Sequence, residues 1–356
     1  MASQSSPKIP STMRAWQFSS TQGGLEKNLV LNESAALPPH DDRALGKDKA
    51  LVQVLAASLN PVDYKLVELP GIGRLAVKKP SSPGIDLAGR VVALGAANTT
   101  AGLEVGQLVF GRLDQPTQFG TLAEYTVAPT GALAKVPEGV AVQDAGCVGT
   151  AGLTAYQSIA PNVKRGSGSR VFINGGSGGT GVWGIQIAKA LGCHVVTSCS
   201  GKNAQFCKDL GADEVVDYTS EDVLEALQKK VGESGQKFDV VVDNVGTSAG
   251  LYWNCHQYTN DGAKYVQVGA DPNGRTAYEM ATKMMWPGFL GGGKRKIELM
   301  MVQGKRDQLA EIGTFMKEGK VKAVVDQVFR MEDAPKAFER LKTNRAKGKI
   351  VVAVSE

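Results

Sequence analysis

The sequence predicts an α/β protein that combines a doubly wound parallel sheet with a second, mostly β domain. Three observations predict this fold class. A glycine-rich turn joins an apolar strand to a helical pattern at 171–191, strands and helices alternate beyond residue 170, and short strands lie between Pro- and Gly-rich turns at 13–140. At 356 residues the chain has room for two domains of about 150 residues each.

The glycine-rich turn, Val-Phe-Ile-Asn-Gly-Gly-Ser-Gly-Gly-Thr-Gly at 171–181, follows a strand and precedes a helix. A backbone without Cβ atoms lets a pyrophosphate approach, and the helix directs its free N–H groups and positive dipole end at the same place. The context predicts a dinucleotide site, with a purely structural turn as the alternative. The residues expected to contact the cofactor here are Gly175, Ser177, Gly178, Gly179, Thr180 and Gly181.

Beyond this turn, apolar runs and amphipathic segments alternate as they do in a sheet of parallel strands. The predicted strands are 170–174, 194–199, 214–218, 238–243 and 264–269, and the predicted helices are 180–191, 202–210, 221–231 and 247–257. Residues 270–296 interrupt the alternation. We expect them to form a loop that lines a substrate cleft around Trp286 or contacts a second subunit; a helix packed in the core is the alternative.

The first part of the chain contains few helical patterns, and the C-terminal part contains one helix and one strand. The predicted elements are strands at 50–58 and 87–94, a helical segment at 141–160, an amphipathic helix at 334–343 and a strand at 349–354. Residues 1–12 are rich in Ser and Pro and are expected to form a flexible tail, with an organelle-targeting segment as the alternative.

Composition limits the class of protein. Hydrophobic residues make up 42% and charged residues 21%, as in a globular protein with a full core, and the net charge of +5 is modest. The basic run 294–296 therefore indicates a solvated loop rather than a nucleic-acid site. Five cysteines without paired spacing favour a reducing compartment, and we expect a cytoplasmic protein. No apolar run approaches the about 20 residues that a membrane span needs.

Several motifs occur in one order along the chain. They are Ser58-Leu-Asn-Pro-Val-Asp-Tyr-Lys65, Pro83-Gly-Ile-Asp-Leu-Ala-Gly89, Gly149-Thr-Ala-Gly-Leu-Thr-Ala155, Asn174 to Gly181, Leu210-Gly-Ala-Asp213 with Asp217-Tyr218, and Gly348-Lys-Ile-Val-Val352. With them the chain resembles the medium-chain dehydrogenase/reductase superfamily over about residues 13–353, and specifically its zinc-independent quinone oxidoreductase-like and enoyl reductase branches. The resemblance implies a GroES-like domain at 13–140 completed by about 325–356, a Rossmann domain inserted at 141–324, and an active cleft between them.

The zinc-dependent members of that superfamily use a thiolate and an imidazole. By resemblance, Asn60 stands at the cysteine position, and Gly84-Ile-Asp86 replaces a Gly-His-Glu segment. The adjacent pairs Cys193-His194 and Cys255-His256 direct their side chains apart on a strand or a helix, which does not suit zinc. We therefore expect no catalytic zinc, and we expect Asn60 to shape the substrate pocket.

The residues after the second parallel strand indicate which nicotinamide cofactor is used. Sites for NAD place an acid about 20 residues past the glycines, but here Ser200-Gly-Lys-Asn203 follows the strand and no acid occurs before Asp209. Hydroxyl groups and a lysine suit a 2′-phosphate, which predicts NADPH bound through Ser200, Lys202 and Asn203. The resemblance adds Tyr218 as a further phosphate ligand. An exposed helix-start lysine and an ordinary strand tyrosine are the alternatives.

The nicotinamide end of the cofactor is predicted from strand ends and from the resemblance. Val245-Gly246 and Val268-Gly269 follow two parallel strands, where ligands of open α/β sheets bind. The resemblance places the Thr154 hydroxyl near the nicotinamide ribose; a helix hydroxyl that bonds its own backbone is the alternative.

Hydride addition to an α,β-unsaturated carbonyl or a quinone leaves negative charge on oxygen, which a donor must stabilise. By resemblance to trans-acting enoyl reductases, Lys65 is the preferred donor, with Tyr64 as the alternative and solvent as another proton source. The two face different directions if their segment is extended. Asp63 and Asp86 are either general acids or acids with local hydrogen bonds. Some quinone reductases of this branch carry a tyrosine where this chain has Lys65, which leaves a quinone preference open.

Three functions follow from these observations. The leading hypothesis is an NADPH-dependent reductase of the activated C=C bonds of enals, enones or quinones. The second is a trans-acting enoyl reductase whose polyketide or fatty-acyl substrate is presented by a carrier. The third is an NADPH-binding protein that binds RNA or has a structural role, although no aromatic stacking platform accompanies the basic run. The family is often dimeric through the edge of the Rossmann sheet, so a homodimer is an expected assembly.

Overall fold

A computed structural model of the chain describes residues 9–41, 44–71, 73, 75, 77–96, 102–246, 249–269, 274–286 and 293–355. It contains two compact units, one formed by Met1–Leu153 with Gln303–Glu356 and the other by Thr154–Val302. Of the expected flexible tail, residues 1–8 lie outside the described residues, and the first strand already begins at Thr12.

The strands are β1 (Thr12–Gln17), β2 (Val30–Ala36), β3 (Lys49–Leu59), β4 (Asp86–Leu94), β5 (Leu108–Arg112), β6 (Tyr125–Pro129), β7 (Leu133–Lys135), β8 (Arg170–Asn174), β9 (His194–Cys199), β10 (Glu214–Asp217), β11 (Phe238–Asp243), β12 (Thr259–Gln267), β13 (Lys296–Leu299), β14 (Val325–Arg330) and β15 (Lys349–Ala353). The helices are α1 (Pro61–Lys65), α2 (Val142–Gly146), α3 (Gly149–Ile159), α4 (Gly181–Ala190), α5 (Ala204–Asp209), α6 (Val223–Ser234), α7 (Ala249–Trp253), α8 (Cys255–Tyr258), α9 (Gly274–Met285), α10 (Arg306–Lys317) and α11 (Ala334–Lys342).

The first unit is built around a largely antiparallel sheet in the order β14-β15-β3-β4-β5-β7, with β6 also paired to β3. The C-terminal strand β15 pairs with β3, with Val351 opposite Ser58, so the end of the chain completes a sheet that its beginning starts. Apolar side chains of β3, β4 and β15 form the core together with Phe338 of α11, which is fully buried. This arrangement confirms the predicted mostly β domain.

The second unit is a six-stranded parallel sheet in the order β10-β9-β8-β11-β12-β13. The strands occur along the chain as 3-2-1-4-5-6 in this order, which is the Rossmann topology. Residues of β8, β9 and β11 are buried on both faces because helices follow each strand, and the continuous apolar runs in the sequence reflect that burial. The doubly wound sheet is therefore confirmed.

The division between the units falls at Leu153/Thr154 and Val302/Gln303 instead of the expected 140/141 and 324/325. Two helices account for this difference. Helix α2 packs on β3, β4 and β5, and α10 packs on β7, where Arg306 Nε donates to the Leu133 carbonyl oxygen at 3.0 Å. These contacts join distant parts of the sequence, and a helical pattern does not reveal which sheet a helix will cover.

Residues 274–285 form helix α9, which agrees with the helix alternative for part of 270–296 and not with a loop throughout. Of this helix, Lys283 is buried, whereas Tyr278, Met285 and the following Trp286 are exposed. Residues 270–273 and 287–292 lie outside the described residues. A short sixth strand, β13, follows and pairs in parallel with β12.

Candidate functional site

The glycine-rich turn connects β8 to α4 at the carboxyl edge of the parallel sheet. Gly175 has a φ of +82°, a left-handed conformation that favours glycine. A Cβ on Gly176 would overlap Thr197 Oγ1, and a Cβ on Gly181 would overlap the Gly175 carbonyl oxygen. A Cβ on Gly178 would instead make only an ordinary contact, 3.5 Å from the Gly175 oxygen. The space beside Gly178 fits the close approach of a phosphate group.

A buried polar network lies beneath this turn and joins four neighbouring strand ends. Asn174 Nδ2 donates to Asp243 Oδ1 at 2.8 Å, and Ser198 Oγ donates to Asn174 Oδ1 at 2.5 Å. Gly175 N in turn donates to Ser198 Oγ at 3.0 Å, and Tyr265 OH donates to Asp243 Oδ2 at 2.6 Å. The network therefore couples the glycine turn to strands on both of its sides.

Asp243 is the centre of that network. It is fully buried, and its Oδ1 also accepts the backbone N–H groups of Val245 at 3.1 Å and Gly246 at 2.9 Å. Burial, reinforced by the nearby Asp243 carboxylate, raises the pKa of Tyr265 well above its ordinary value, so this tyrosine remains a hydroxyl donor. Our sequence reasoning missed Asp243 and Tyr265; their position at or near the ends of parallel strands was the available signal.

The two turns predicted to border the nicotinamide lie against each other. The backbone N–H groups of Val268 and Gly269 donate to the Asp243 carbonyl oxygen at 2.9 and 3.1 Å. A Cβ on Gly246 would overlap the carbonyl oxygen of Gly269, so the turns pack backbone against backbone. Our sequence reasoning also missed Asn244, whose side-chain amide is buried without a hydrogen-bond partner among the described residues. Such an unsatisfied amide fits a site that receives a polar ligand.

The predicted 2′-phosphate ligands lie at the tip of β9 and at the adjoining end of β10. Lys202 is exposed on a single 3₁₀ turn, Gly201–Asn203, and Tyr218 is 57% exposed. Asn203 is buried and donates through Nδ2 to Ser177 Oγ at 3.2 Å, whereas its Oδ1 has no partner among the described residues. The structure thus brings the β9 tip and the glycine turn together through Asn203 and Ser177.

A carboxylate also lies at this tip, although β9 itself carries no acid. Asp217 of β10 accepts hydrogen bonds from Thr219 Oγ1 at 2.6 Å, from Thr219 N at 3.0 Å, and from the backbone N–H of Gly201. These bonds, led by the Thr219 hydroxyl, hold the pKa of Asp217 below its ordinary value. The sequence criterion considered acids on β9 alone and therefore did not weigh this residue.

In the first unit, Tyr64 and Lys65 belong to the short helix α1 and not to an extended segment. Successive helical residues point about 100° apart, and the two side chains still face different directions. Tyr64 is 8% exposed, with Lys342 Nζ 4.9 Å from its ring centre, whereas Lys65 is half-buried. Pro61 at the start of α1 and a hydrogen bond of 2.7 Å from Asn60 N to Asp63 Oδ2 determine where the helix begins.

Asn60 is part of a buried network with Asp86 and Lys349. Its Nδ2 donates to Asp86 Oδ2 at 2.8 Å, and its Oδ1 accepts a hydrogen bond from Lys349 Nζ. Asp86 Oδ1 accepts both the N–H and the hydroxyl of Thr150, at 2.7 and 2.6 Å, at the start of α3. Four of the recognised motifs therefore meet around Asp86, and the Asn60 amide is engaged inside the unit.

The carboxyl group of Asp63 differs from that of Asp86. Burial, with the nearby Asp86 carboxylate, raises the pKa of Asp63 to about 7, and Oδ1 of Asp63 has no partner among the described residues.

Burial also raises the pKa of the Cys147 thiol to about 12, so this thiol is a neutral packing group at ordinary pH. Within the described part of the chain, no group of three or more His, Cys, Asp and Glu side chains is arranged to hold a metal.

Thr154 and Trp286 complete the predicted site residues. Thr154 lies in α3 and is 5% exposed, and Trp286 directly follows α9 and is 53% exposed.

Among the described helices, none has the length and apolar character needed to cross a bilayer.

A Rossmann sheet with a glycine turn and a second unit of GroES-like type define an oxidoreductase that uses a nicotinamide cofactor. Family comparison agrees with this class. The model for the alcohol dehydrogenase GroES-like domain matches residues 46–138, and the model described as zinc-binding dehydrogenase matches residues 210–352. The chain belongs to the medium-chain dehydrogenase/reductase superfamily, in its quinone oxidoreductase-like branch.

Individual relatives match the chain over nearly its full length. It is 51% identical to the trans-enoyl reductase pgmF of Aspergillus terreus over 98% of both chains, and 33% identical to 2-methylene-furan-3-one reductase of Solanum lycopersicum over 97% of this chain and 80% of that protein. Among solved structures, the quinone oxidoreductase of Coxiella burnetii aligns with a TM-score of 0.79 at 28% identity, covering 96% of this chain and 99% of that one.

Proposed function

We propose that the protein is an NADPH-dependent reductase that transfers hydride, without zinc, to the activated C=C bond of an enal, an enone or a quinone. The observation that carries this proposal is the carboxyl edge of the parallel sheet. Three features at or near this edge support a dinucleotide site: a Cβ at Gly178 would make only an ordinary contact, and both the Asn244 amide and Oδ1 of Asn203 are without a hydrogen-bond partner among the described residues.

The phosphate and nicotinamide ends of the cofactor are assigned to different parts of this edge. Ser200, Lys202 and Tyr218 would hold the 2′-phosphate, because they offer hydroxyl and ammonium donors at the ends of β9 and β10, and Asn203 would contact the cofactor beside them. The turns Val245-Gly246 and Val268-Gly269, together with Thr154, would border the nicotinamide. When bound, NADPH would supply the hydride that the reduction consumes.

The chain's own contribution to the chemistry is a donor for the charge that develops on the substrate. As hydride adds to the β-carbon, the electron pair of the C=C bond moves toward the carbonyl oxygen, where the Lys65 ammonium would stabilise it. A proton from solvent or from a donor on α1 then completes the reduction at the α-carbon. Lys65 suits this role because α1 is held at its start by the Asn60 N–H bond to Asp63 and near its end by the Lys342 contact with Tyr64.

A metal-free mechanism is proposed from the chemistry of the residues. By the resemblance, Asn60 stands at the position of the cysteine ligand, and its amide is hydrogen-bonded to Asp86 and Lys349. An amide that is engaged in this way is a poor zinc ligand compared with a thiolate.

The direct experiment follows NADPH absorbance after the protein is mixed with a panel of enones, enals and quinones. We expect oxidation of NADPH with at least one acceptor, and we expect Lys65→Met to lower kcat/KM by about 100-fold, the effect of removing one oxyanion donor. Lys229→Met, which changes an exposed lysine on α6, is the matched control and should leave kcat/KM unchanged. Tight NADPH binding without turnover of any acceptor contradicts the proposal.

A trans-acting enoyl reductase is the second candidate, favoured by the full-length similarity to the protein named trans-enoyl reductase pgmF. In this case the substrate is an enoyl chain attached to an acyl carrier, and the carrier is a protein partner. Turnover of a carrier-bound enoyl thioester with much higher kcat/KM than the free thioester would select this candidate. Equal values for the two substrates would select the small-molecule reductase.

A homodimer through the edge strand β13 is the proposed assembly, since the outer side of that strand ends the parallel sheet. Light scattering at several protein concentrations measures the mass directly. A single species with the mass of one chain at every concentration would exclude the homodimer.

A further inference from the structure

Two loops carry the proposed 2′-phosphate ligands, and one carboxylate connects them. The turn after β9 bears Ser200 and Lys202, and the turn after β10 bears Tyr218. Asp217, the last residue of β10, accepts the N–H of Gly201 in the first turn and both the N–H and hydroxyl of Thr219 in the second. Its side chain is thus hydrogen-bonded to residues adjacent to each of the three ligands.

The contact between Asp217 and the β9 turn is close enough to exclude a side chain at position 201. A Cβ added to Gly201 would overlap Asp217 Oδ2. The backbone supports the same alignment, because Tyr218 N donates to the Cys199 carbonyl oxygen at 3.2 Å. The tips of β9 and β10 are therefore held side by side, and glycine at 201 is explained by the carboxylate.

The charge of Asp217 has two opposing consequences for a bound phosphate. A carboxylate repels a 2′-phosphate, but this one is partly exposed to solvent, where water and salt screen such repulsion. Its hydrogen-bond geometry is not screened in the same way. Oδ1 accepts both donors of Thr219 and Oδ2 faces Gly201, so its lone pairs are directed at the protein backbone rather than at a ligand. The placement of the phosphate ligands by Asp217 should therefore change the affinity for a 2′-phosphate more than the repulsion by its carboxylate does.

We infer that Asp217 is a positioning residue for the 2′-phosphate subsite, and that it sets the preference of this chain for NADPH over NADH by holding Ser200, Lys202 and Tyr218 in one arrangement. The inference rests on the proposed function. It adds that the discriminating geometry depends on a side chain that does not itself bind the phosphate.

The test measures dissociation constants of NADPH and NADH, and of 2′,5′-ADP and ADP as probes without a nicotinamide, for the full chain. We expect Asp217→Ala to weaken NADPH and 2′,5′-ADP about 10-fold while NADH and ADP change less than about 2-fold. Gly201→Ala should have the same selective effect by displacing the carboxylate. Asp217→Asn keeps one acceptor oxygen and should lie between Asp217→Ala and the wild type.

Asp222→Asn is the matched control, because Asp222 is an exposed acid that also accepts a backbone N–H, that of Glu225, at the start of α6. It should leave the ratio of NADPH to NADH affinity unchanged. Unchanged NADH affinity and thermal midpoint in each variant show that the fold is retained.

The possible failures are distinguishable. A wild-type protein that binds NADPH no more tightly than NADH contradicts the proposed cofactor. A wild type that prefers NADPH, with a preference that Asp217→Ala leaves within about 2-fold, overturns the positioning inference alone. Tighter NADPH binding by Asp217→Ala or Asp217→Asn also overturns it, because repulsion would then be the larger effect.

Discussion

Asn174 Nδ2 donates to Asp243 Oδ1 at 2.8 Å, joining the ends of β8 and β11 at the point where the strand order of the parallel sheet reverses. This point is where open α/β sheets bind ligands. Both side chains are buried, and Asp243 also holds the first residues of the turn after β11. A single carboxylate thus determines the shape of the floor of the proposed cofactor site.

Removal of the Asp243 carboxylate should destabilise the second unit. Asp243→Ala leaves the hydroxyl of Tyr265, the amide of Asn174 and two backbone N–H groups without their acceptor, and unsatisfied buried groups are costly. We expect the free energy of unfolding to fall by about 3 kcal/mol or more in urea denaturation. The exposed Asp209→Asn should change it by less than about 0.5 kcal/mol. A loss for Asp243→Ala as small as that of the control would contradict the role assigned to the network.

Two glycines of the same turn should respond differently to alanine. In Gly176→Ala the new methyl would overlap Thr197 Oγ1, which donates to the Ile173 carbonyl oxygen, and we expect a loss of about 1–3 kcal/mol in stability. In Gly178→Ala the methyl has room in the protein, so stability should hold while NADPH affinity falls. Denaturation and cofactor titration of both variants check this. Normal NADPH binding by Gly178→Ala would show that no ligand approaches there.

The raised pKa of Asp63 should make stability depend on pH. In the unfolded chain this carboxyl loses its proton near its ordinary pKa of 3.8, but in the folded protein it keeps the proton up to about pH 7. The folded state therefore binds the proton more tightly, and its contribution to stability is present below about pH 4 and is lost as pH rises to about 7. Asp86, Lys349 and Arg112 are the charged groups that face it.

Asp63→Asn tests this dependence because the amide oxygen can still accept the Asn60 N–H while the titration is removed. The variant should be more stable than the wild type at pH 8, and the difference should shrink at pH 5. Denaturation at the two pH values measures it. A difference that is the same at both would show that Asp63 does not titrate in this range.

The Lys342 side chain should stabilise helix α1, which carries Lys65. It donates to Glu26 and to Glu68, the latter at 2.6 Å, and lies over the ring of Tyr64. Lys342→Met removes the ammonium from two partly buried carboxylates, and we expect a loss of about 1–3 kcal/mol in unfolding free energy, between the values for exposed and buried pairs. Lys336 lies on α11, as Lys342 does, and forms an exposed pair with Asp333. Lys336→Met is therefore the control and should lower the unfolding free energy by less than about 1 kcal/mol.

The parallel sheet was predictable because local signals determine it. Buried parallel strands are continuous apolar runs, and the predicted limits of 170–174, 194–199 and 238–243 agree with β8, β9 and β11. Helix α9 was predicted less well: its helical pattern was weighed only as the alternative to a loop, because Pro287 and the glycines at 291–293 follow it within a few residues. The glycine turn was found for the same reason as the strands: its pattern lies within one short stretch of the chain.

The amino-acid sequence by itself determined the fold class, the superfamily and the position of the glycine turn, because each is recognised from patterns and motifs that lie within short stretches of the chain. Only the tertiary structure decided that Asn174, Ser198, Asp243 and Tyr265 share hydrogen bonds, and that Asp86 joins Asn60 to Thr150. Those contacts connect residues from separate strands. Hydrogen bonds require atoms within about 3 Å, and no local pattern specifies which distant side chains a sheet will bring that close.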